Sequence, residues 1–257
     1  MSDELLVERE GGIVTLTLNR PHKLNALTKG LWRALGEAVT RLDADDTVRC
    51  LVLRGAGEKA FSPGNDIAEF ETERSNVEQA RVYGALMHST LRALRDCRHP
   101  MVAMIHGICV GGGMELACLC DIRICGEGSR FGAPVSRLGL VMAHDEMAAV
   151  VALVGRATAL EILFEARVFG AAEALQKRLV SRVVPDDRVT EDALAAARRI
   201  AAGAPLVHRW HKARRLEDPR PLSAAERDEG FACYGTRDFE TGYHAFLAKT
   251  EPHFEGR

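Results

Sequence analysis

Charge of one sign is what this sequence most lacks: 34 Lys and Arg stand against 36 Asp and Glu in 257 residues, a formal net charge of −2. So even a balance projects no field that would gather nucleic acid or an anionic bilayer, and neither is expected as a partner. The N-terminal Met-Ser-Asp-Glu-Leu-Leu has no basic region ahead of an apolar core, so no secretory signal is expected. The longest apolar stretch is interrupted by His106, by Gly111 to Gly113 and by Glu115, which argues against a membrane span. No repeat and no low-complexity segment is present. No Gly-Lys-Ser/Thr follows a glycine turn, no Gly-x-Gly-x-x-Gly spacing occurs, and neither Ser62 nor Ser136 sits in Gly-x-Ser-x-Gly. Those gaps remove nucleotide-phosphate loops and the serine-hydrolase elbow. The 7 cysteines are an odd number, and Cys118-x-Cys120 with Cys125 has neither zinc spacing nor a second cluster. With Cys50, Cys109, Cys118 and Cys125 inside apolar runs, the thiols read as reduced core residues of a cytoplasmic protein with no metal.

What is there is organised around Pro100 to Cys125. Met101 to Ile105 has strand length and character, three glycines follow at 111 to 113, Met114 to Leu119 is helical, and Ile122 to Cys125 is another strand. Upstream, Gly11-Gly12 turns into a strand over Ile13 to Leu18. Thr28 caps a helix with Leu31, Leu35, Val39 and Leu42 on one side. Cys50 to Leu53 forms a short buried strand, Gly55 to Asp66 a long loop, and Val77 to Leu94 a second amphipathic helix. Strands alternating with helices at this spacing predict crossover units around a mainly parallel sheet, an α/β fold. Downstream lie alanine-rich segments at Glu146 to Val154 and Thr158 to Glu165 and a short strand within Leu179 to Val184. Helices follow over Asp192 to Ala202, Leu206 to Leu216, Ala224 to Phe231 and Phe239 to Lys249, with breaks at Pro205, Pro219, Pro221 and Gly235. The expected organisation is a core domain over 1–195 and a helical region over 196–257 that packs on the core or on a neighbouring subunit.

Two glycine turns follow apolar segments: Phe61-Ser62-Pro63-Gly64-Asn65-Asp66-Ile67 and Gly111-Gly112-Gly113. If the sheet brings them together, one N–H from each can meet at a single oxygen, as an oxyanion hole requires. Taken singly, each is equally a tight turn. Glu115 lies about one helical turn past Gly112 and leans back toward the helix start, among Met114, Leu116 and Ala117, where a carboxyl is poorly solvated. It is either a proton-transfer group or an acid that complements the helix dipole. His144-Asp145-Glu146 forms a second polar cluster at a helix start, where a His beside acids can serve as base or acid, though Asp and Glu in a first helical turn are first read as dipole partners.

The ordered set resembles the enoyl-CoA hydratase/isomerase (crotonase) family over nearly the whole chain. It comprises Asn19-Arg20-Pro21-His22-Lys23-Leu24-Asn25-Ala26-Leu27, Lys59 through Ile67, His106-Gly107 through Asp121, and Phe131-Gly132-Ala133-Pro134. The tail Asp238 to Lys249 completes it. The resemblance implies a crotonase-like spiral of ββα units with a C-terminal helical trimerisation region, in homotrimers or homohexamers. It implies an acyl-CoA thioester as substrate, with coenzyme A entering as part of it and no separate cofactor. The oxyanion donors then fall on the amides of Asn65 and Gly112, and CoA contacts on Lys23, Leu24, Asp66, Ile67, Phe246 and Lys249, the last two reaching a neighbouring subunit.

The departures carry as much information. Family hydratases have a second glutamate after Phe-Gly-x-Pro, where this chain has Val135, and Met142-Ala143-His144-Asp145-Glu146 replaces the usual Pro-Gly-x-Gly-Gly. Hydration of an enoyl-CoA in fatty-acid or related metabolism is the first expectation, with Glu115 handling water and water or His144 protonating the α-carbon. An isomerase shuttling a proton on one carboxylate follows, then a thioester hydrolase or decarboxylase. The alternative of another class is a non-catalytic acyl-CoA-binding protein.

Overall fold

A computed structural model describes residues 3–213, 223–229 and 231–257. The chain opens with β1 (Leu5–Glu10) and β2 (Ile13–Leu18), a hairpin turned at Gly11-Gly12, where Gly11 adopts φ 57°. Helix α1 (Lys29–Asp43) starts at Thr28, whose hydroxyl accepts from Leu31 N at 3.0 Å, and buries Leu31, Leu35, Val39 and Leu42. Then come β3 (Cys50–Gly55), β4 (Ala60–Ser62), the short α2 (Phe70–Glu73) and α3 (Val77–Asp96). The central stretch is β5 (Met101–Ile105), β6 (Ile108–Val110), α4 (Gly112–Cys118), β7 (Ile122–Gly126) and β8 (Arg130–Gly132). It is followed by α5 (His144–Glu165), β9 (Phe169–Gly170), α6 (Ala171–Gln176), β10 (Arg182–Val184) and α7 (Val189–Ala201), and last by α8 (Pro205–Ala213), α9 (Ala224–Glu229) and α10 (Arg237–Ala248).

Two sheets result. The larger has the order β1-β2-β3-β5-β7-β10 and is parallel apart from the β1–β2 hairpin. The mainly parallel sheet read from the sequence is this one. The smaller, β4-β6-β8-β9, has three parallel strands of three residues each and an antiparallel edge. The sequence reading took the Gly55 to Asp66 segment as loop and passed over β6 and β8, because strands this short carry no readable alternation. Their hydrogen bonds come from neighbours distant in the chain.

The alanine-rich segments form one helix, α5, bent at Gly155, where φ 75° lies outside the helical region. By composition α5 is apolar enough to cross a membrane, but the bend divides it and its first half packs on α3 and α4. Helix α7 lies across β3, β5 and β7 and buries Val189, Ala193, Ala196 and Ala197 against Val52, Val102 and Ile124. The 195/196 division therefore falls inside a single helix packed on the sheet. Beyond it the docking is polar: Arg209 pairs with Asp46 at 3.0 Å, Lys212 with Asp121 at 2.8 Å, and Arg49 reaches Phe254 O at 3.1 Å. The end of the expected Leu206 to Leu216 helix and the breaks at Pro219 and Pro221 lie outside the described residues. Six cysteines are buried and none of the 7 is in a disulfide; desolvation pushes the Cys50, Cys118, Cys120 and Cys125 thiols up to about 12.

Candidate active site

The three parallel strands of the small sheet point the same way, so their carboxyl ends deliver three loops to one place. Strand β4 leads into Pro63, Gly64 and Asn65, β6 into Gly111 and Gly112, and β8 into Pro134 and Val135. All of these line one cavity of about 410 Å³. Ligand sites at the carboxyl ends of parallel strands are a general outcome of such topology.

The two glycine turns touch. Gly64, at φ 100°, is so placed that a Cβ there would lie 2.9 Å from Gly112 N, and a Cβ on Gly113 would lie 2.2 Å from Ser62 O. Only residues without side chains permit this approach. Gly112 opens α4, whose first amides have no acceptor within the helix; the first turn closes with Glu115 N donating to Gly111 O at 3.0 Å. At the other turn, Leu27 N donates to Gly64 O and Asp66 N to Leu27 O, a pairing that passes over the intervening Asn65 N–H. The Asn65 side chain turns away, its Oδ1 accepting from the Trp32 indole at 2.7 Å, so Asn65 offers the cavity its backbone.

Glu115 is buried, and its Oε2 has no hydrogen-bond partner. A buried unpaired carboxyl oxygen in a native core is rare and costly, and a reacting group is one explanation. Its pKa is pushed up to about 8, by desolvation first and by the charge of Glu146 second, with Arg74 acting the other way.

Of the two readings of His144-Asp145-Glu146, Glu146 fits both. It does close the first turn of α5, accepting from Ala143 N at 3.0 Å, but it is buried, it lines the cavity, and its Oε1 stands 3.0 Å from His88 Nε2 on α3. His144 is exposed and does not line the cavity, so it is no proton source for the α-carbon. Two more residues escaped the sequence reading. Arg74, just after α2, stacks over Phe70 and Tyr83 at 4.7 and 4.8 Å and holds a buried Nη1 without a partner. Both Arg74 and Phe70 line the cavity. No local pattern marks Arg74 and Phe70 as cavity residues, since they reach the cavity only through the packing of α2 and its end against α3.

Of the expected CoA contacts, Lys23, Asp66 and Ile67 line the cavity mouth, and Ile67 is 52% exposed. Asp66 is held by Arg20 at 2.9 Å. Leu24 turns the preceding loop at φ 53° and does not line the cavity. Within one chain Phe246 and Lys249 stand on α10 and at its end, away from these residues, and Phe246 is 82% exposed. The motif residue Asn25 is structural: at φ 64° its amide donates to Ala56 O and Ala60 O, tying the loop to β4.

Comparison with known proteins follows this geometry. The family model described as enoyl-CoA hydratase/isomerase matches residues 8–257. A Rhizobium meliloti protein named "Probable enoyl-CoA hydratase" is 36% identical, covering 99% of each chain, and the crotonyl-CoA hydratase of Syntrophomonas wolfei is 33% identical, covering 98% of each. A solved structure from Magnetospirillum magneticum, described as an enoyl-CoA hydratase/carnithine racemase, superposes with a TM-score of 0.97 at 49% identity over 100% of this chain and 97% of that one.

Proposed function

Since the chain belongs to the enoyl-CoA hydratase/isomerase family, we propose that it is an enoyl-CoA hydratase that adds water across the 2,3 double bond of an acyl-CoA thioester. The observation that carries this is the placing of the unpartnered Glu115 carboxyl in the same cavity as the touching turns at Gly64-Asn65 and Gly112. In the reaction the thioester oxygen accepts from the amides of Asn65 and Gly112. Water oxygen bonds to the β-carbon, the π electrons move toward the carbonyl, and the charge that develops on oxygen meets two fixed dipoles. Glu115, expected from the sequence to deprotonate water, instead holds its own proton up to about pH 8 in the unliganded protein, and gives it to the α-carbon. The proton released by the attacking water needs an acceptor of its own.

Lys23, Asp66 and Ile67 at the mouth receive the CoA moiety, with Leu24 shaping the loop that carries Lys23. Exposed Phe246, Leu247 and Tyr243 on α10 suit burial against a second copy, which favours a trimer or hexamer in which Phe246 and Lys249 reach a neighbour's CoA. Coenzyme A enters with the substrate, and a cytoplasmic location accords with the free buried thiols.

The test is a product assay. Incubated with crotonyl-CoA, the protein should yield 3-hydroxybutyryl-CoA. Conversion of a 3-enoyl-CoA to the 2-enoyl isomer with no hydration would make it an isomerase, and stoichiometric binding without turnover of either would make it a binding protein.

A further inference from the structure

The position at which related hydratases are expected to carry a second acid holds Val135, which lines the cavity and cannot transfer a proton. Eleven residues further on, the first turn of α5 presents a carboxylate to the same cavity. We infer that Glu146, held by His88, is the second acid–base group of this active site, working beside Glu115.

Three observations converge on this. Both carboxyls line the one cavity, and they are close enough that the charge of Glu146 raises the pKa of Glu115. A like charge in the same desolvated site favours the protonated form of Glu115, which suits it to give a proton. Their surroundings also differ in kind. Glu115 has one oxygen with no partner, whereas each oxygen of Glu146 has one: Ala143 N at 3.0 Å on Oε2 and His88 Nε2 at 3.0 Å on Oε1. Carboxyls placed in contrasting environments are how one site obtains both an acid and a base at one pH.

The groups facing the pair can be named element by element. From α3 come His88, and Arg92, whose guanidinium is engaged 3.4 Å away by Asp145 rather than by Glu146. From α4 comes Glu115 itself. Arg74, stacked beside Tyr83, supplies the compensating positive charge in the cavity. A helix start that needed a glutamate only for capping would be served by an exposed one. This glutamate is buried, and an α3 imidazole is aimed at it.

The inference rests on the hydratase reading and completes its proton balance. Water gives its proton to Glu146 as its oxygen bonds to the β-carbon, and the α-carbon takes the proton that Glu115 held. Transfer from Glu146 back to Glu115 restores the starting state, so the net reaction adds one water. His88 touches no reacting atom in this scheme; it is a positioning residue that keeps the Glu146 carboxylate turned into the cavity.

The experiment compares wild type, Glu146→Gln, His88→Leu and His88→Gln in the full chain. For crotonyl-CoA hydration, Glu146→Gln should lower kcat by at least about 10²-fold, the lower range for a general acid–base group, with KM within about threefold, since the substrate's binding contacts remain. His88→Leu should lower kcat about tenfold, and His88→Gln, which keeps an N–H toward Glu146, should recover most of that. A Glu146→Gln enzyme within about twofold of wild-type kcat would overturn the proposal. Carbon-13 NMR of labelled Glu115 reads the pair without substrate: its pKa should fall from about 8 in wild type to a clearly lower value in Glu146→Gln. An unchanged Glu115 titration would overturn the pairing. Wild-type protein that hydrates no enoyl-CoA while Glu115 still shifts would sink the hydratase reading and leave the coupling of the two carboxyls standing.

Discussion

The cavity has two walls of different kinds. One is built of main chain: Gly64 and Asn65 after β4, Gly111 and Gly112 after β6, with Gly64 so close to Gly112 N that a side chain there is excluded. The other, from Pro134 through Glu146, is built of side chains, and it is open, with Leu138 56% and Val141 91% exposed. The main-chain wall keeps the glycine pattern that the family resemblance leads one to expect. The side-chain wall has lost that pattern at Val135 and at Met142 to Glu146. A backbone dipole can be moved only by moving the fold, so its sequence signature persists. A carboxylate needs only to arrive at the right point in space, and a neighbouring helix start can deliver it.

The hardest way to break this contrast is at the main-chain wall. Gly64→Ala would force an L side chain to φ 100° and set its methyl 2.9 Å from Gly112 N. The expected loss in kcat for crotonyl-CoA is about 10³-fold, that of one oxyanion donor, with a lower Tm from the strained turn. Activity within tenfold of wild type would show that the Gly112 amide is not a donor.

At the side-chain wall the complementary test adds rather than removes. Val135→Glu introduced into Glu146→Gln returns a carboxylate to the same cavity, and kcat should rise at least about tenfold over the single variant, a part of what a general acid–base group contributes. A double variant no faster than Glu146→Gln would mean that the two positions do not reach the same substrate atoms.

Stability should also respond. The folded-state pKa of Glu115 is raised, so its burial carries no penalty below the ordinary value of 4.5, a growing one as pH rises to about 8, and a constant one above. Glu115→Gln should therefore be more stable than wild type at pH 8, by no more than roughly 5 kcal/mol, and the gap should narrow toward pH 5. Thermal unfolding at the two pH values measures it; a gap that widens at low pH would reverse the assignment. The smallest effect is expected farthest from the chemistry. Phe246→Ala should raise KM for crotonyl-CoA a few-fold, roughly 1 kcal/mol of uniform binding, and leave kcat unchanged. Equal KM would remove α10 from the CoA site.

The same contrast sets what could be read from the sequence. The parallel sheet, the Thr28 cap, the glycine turns and Glu115 were legible because each has a local cause: alternating apolar residues, a hydroxyl three residues before an amide, a positive φ, an acid one turn into a helix. Strands β4, β6 and β8 were not, since three residues hold no periodicity and their partners lie elsewhere in the chain. Glu146 was visible as an acid but not as a cavity group. Its role depends on His88, 58 residues away on α3, and no spacing along the chain encodes that meeting.

The central claim, that Glu115 is a proton donor of raised pKa beside a main-chain oxyanion hole, is tested most directly by crotonyl-CoA hydration from pH 5 to 10 in wild type and Glu115→Gln. The account predicts that wild-type kcat/KM falls as pH rises through about 8 and that the Gln variant loses at least about 10²-fold at every pH. A Glu115→Gln enzyme that turns over at the wild-type rate would contradict it.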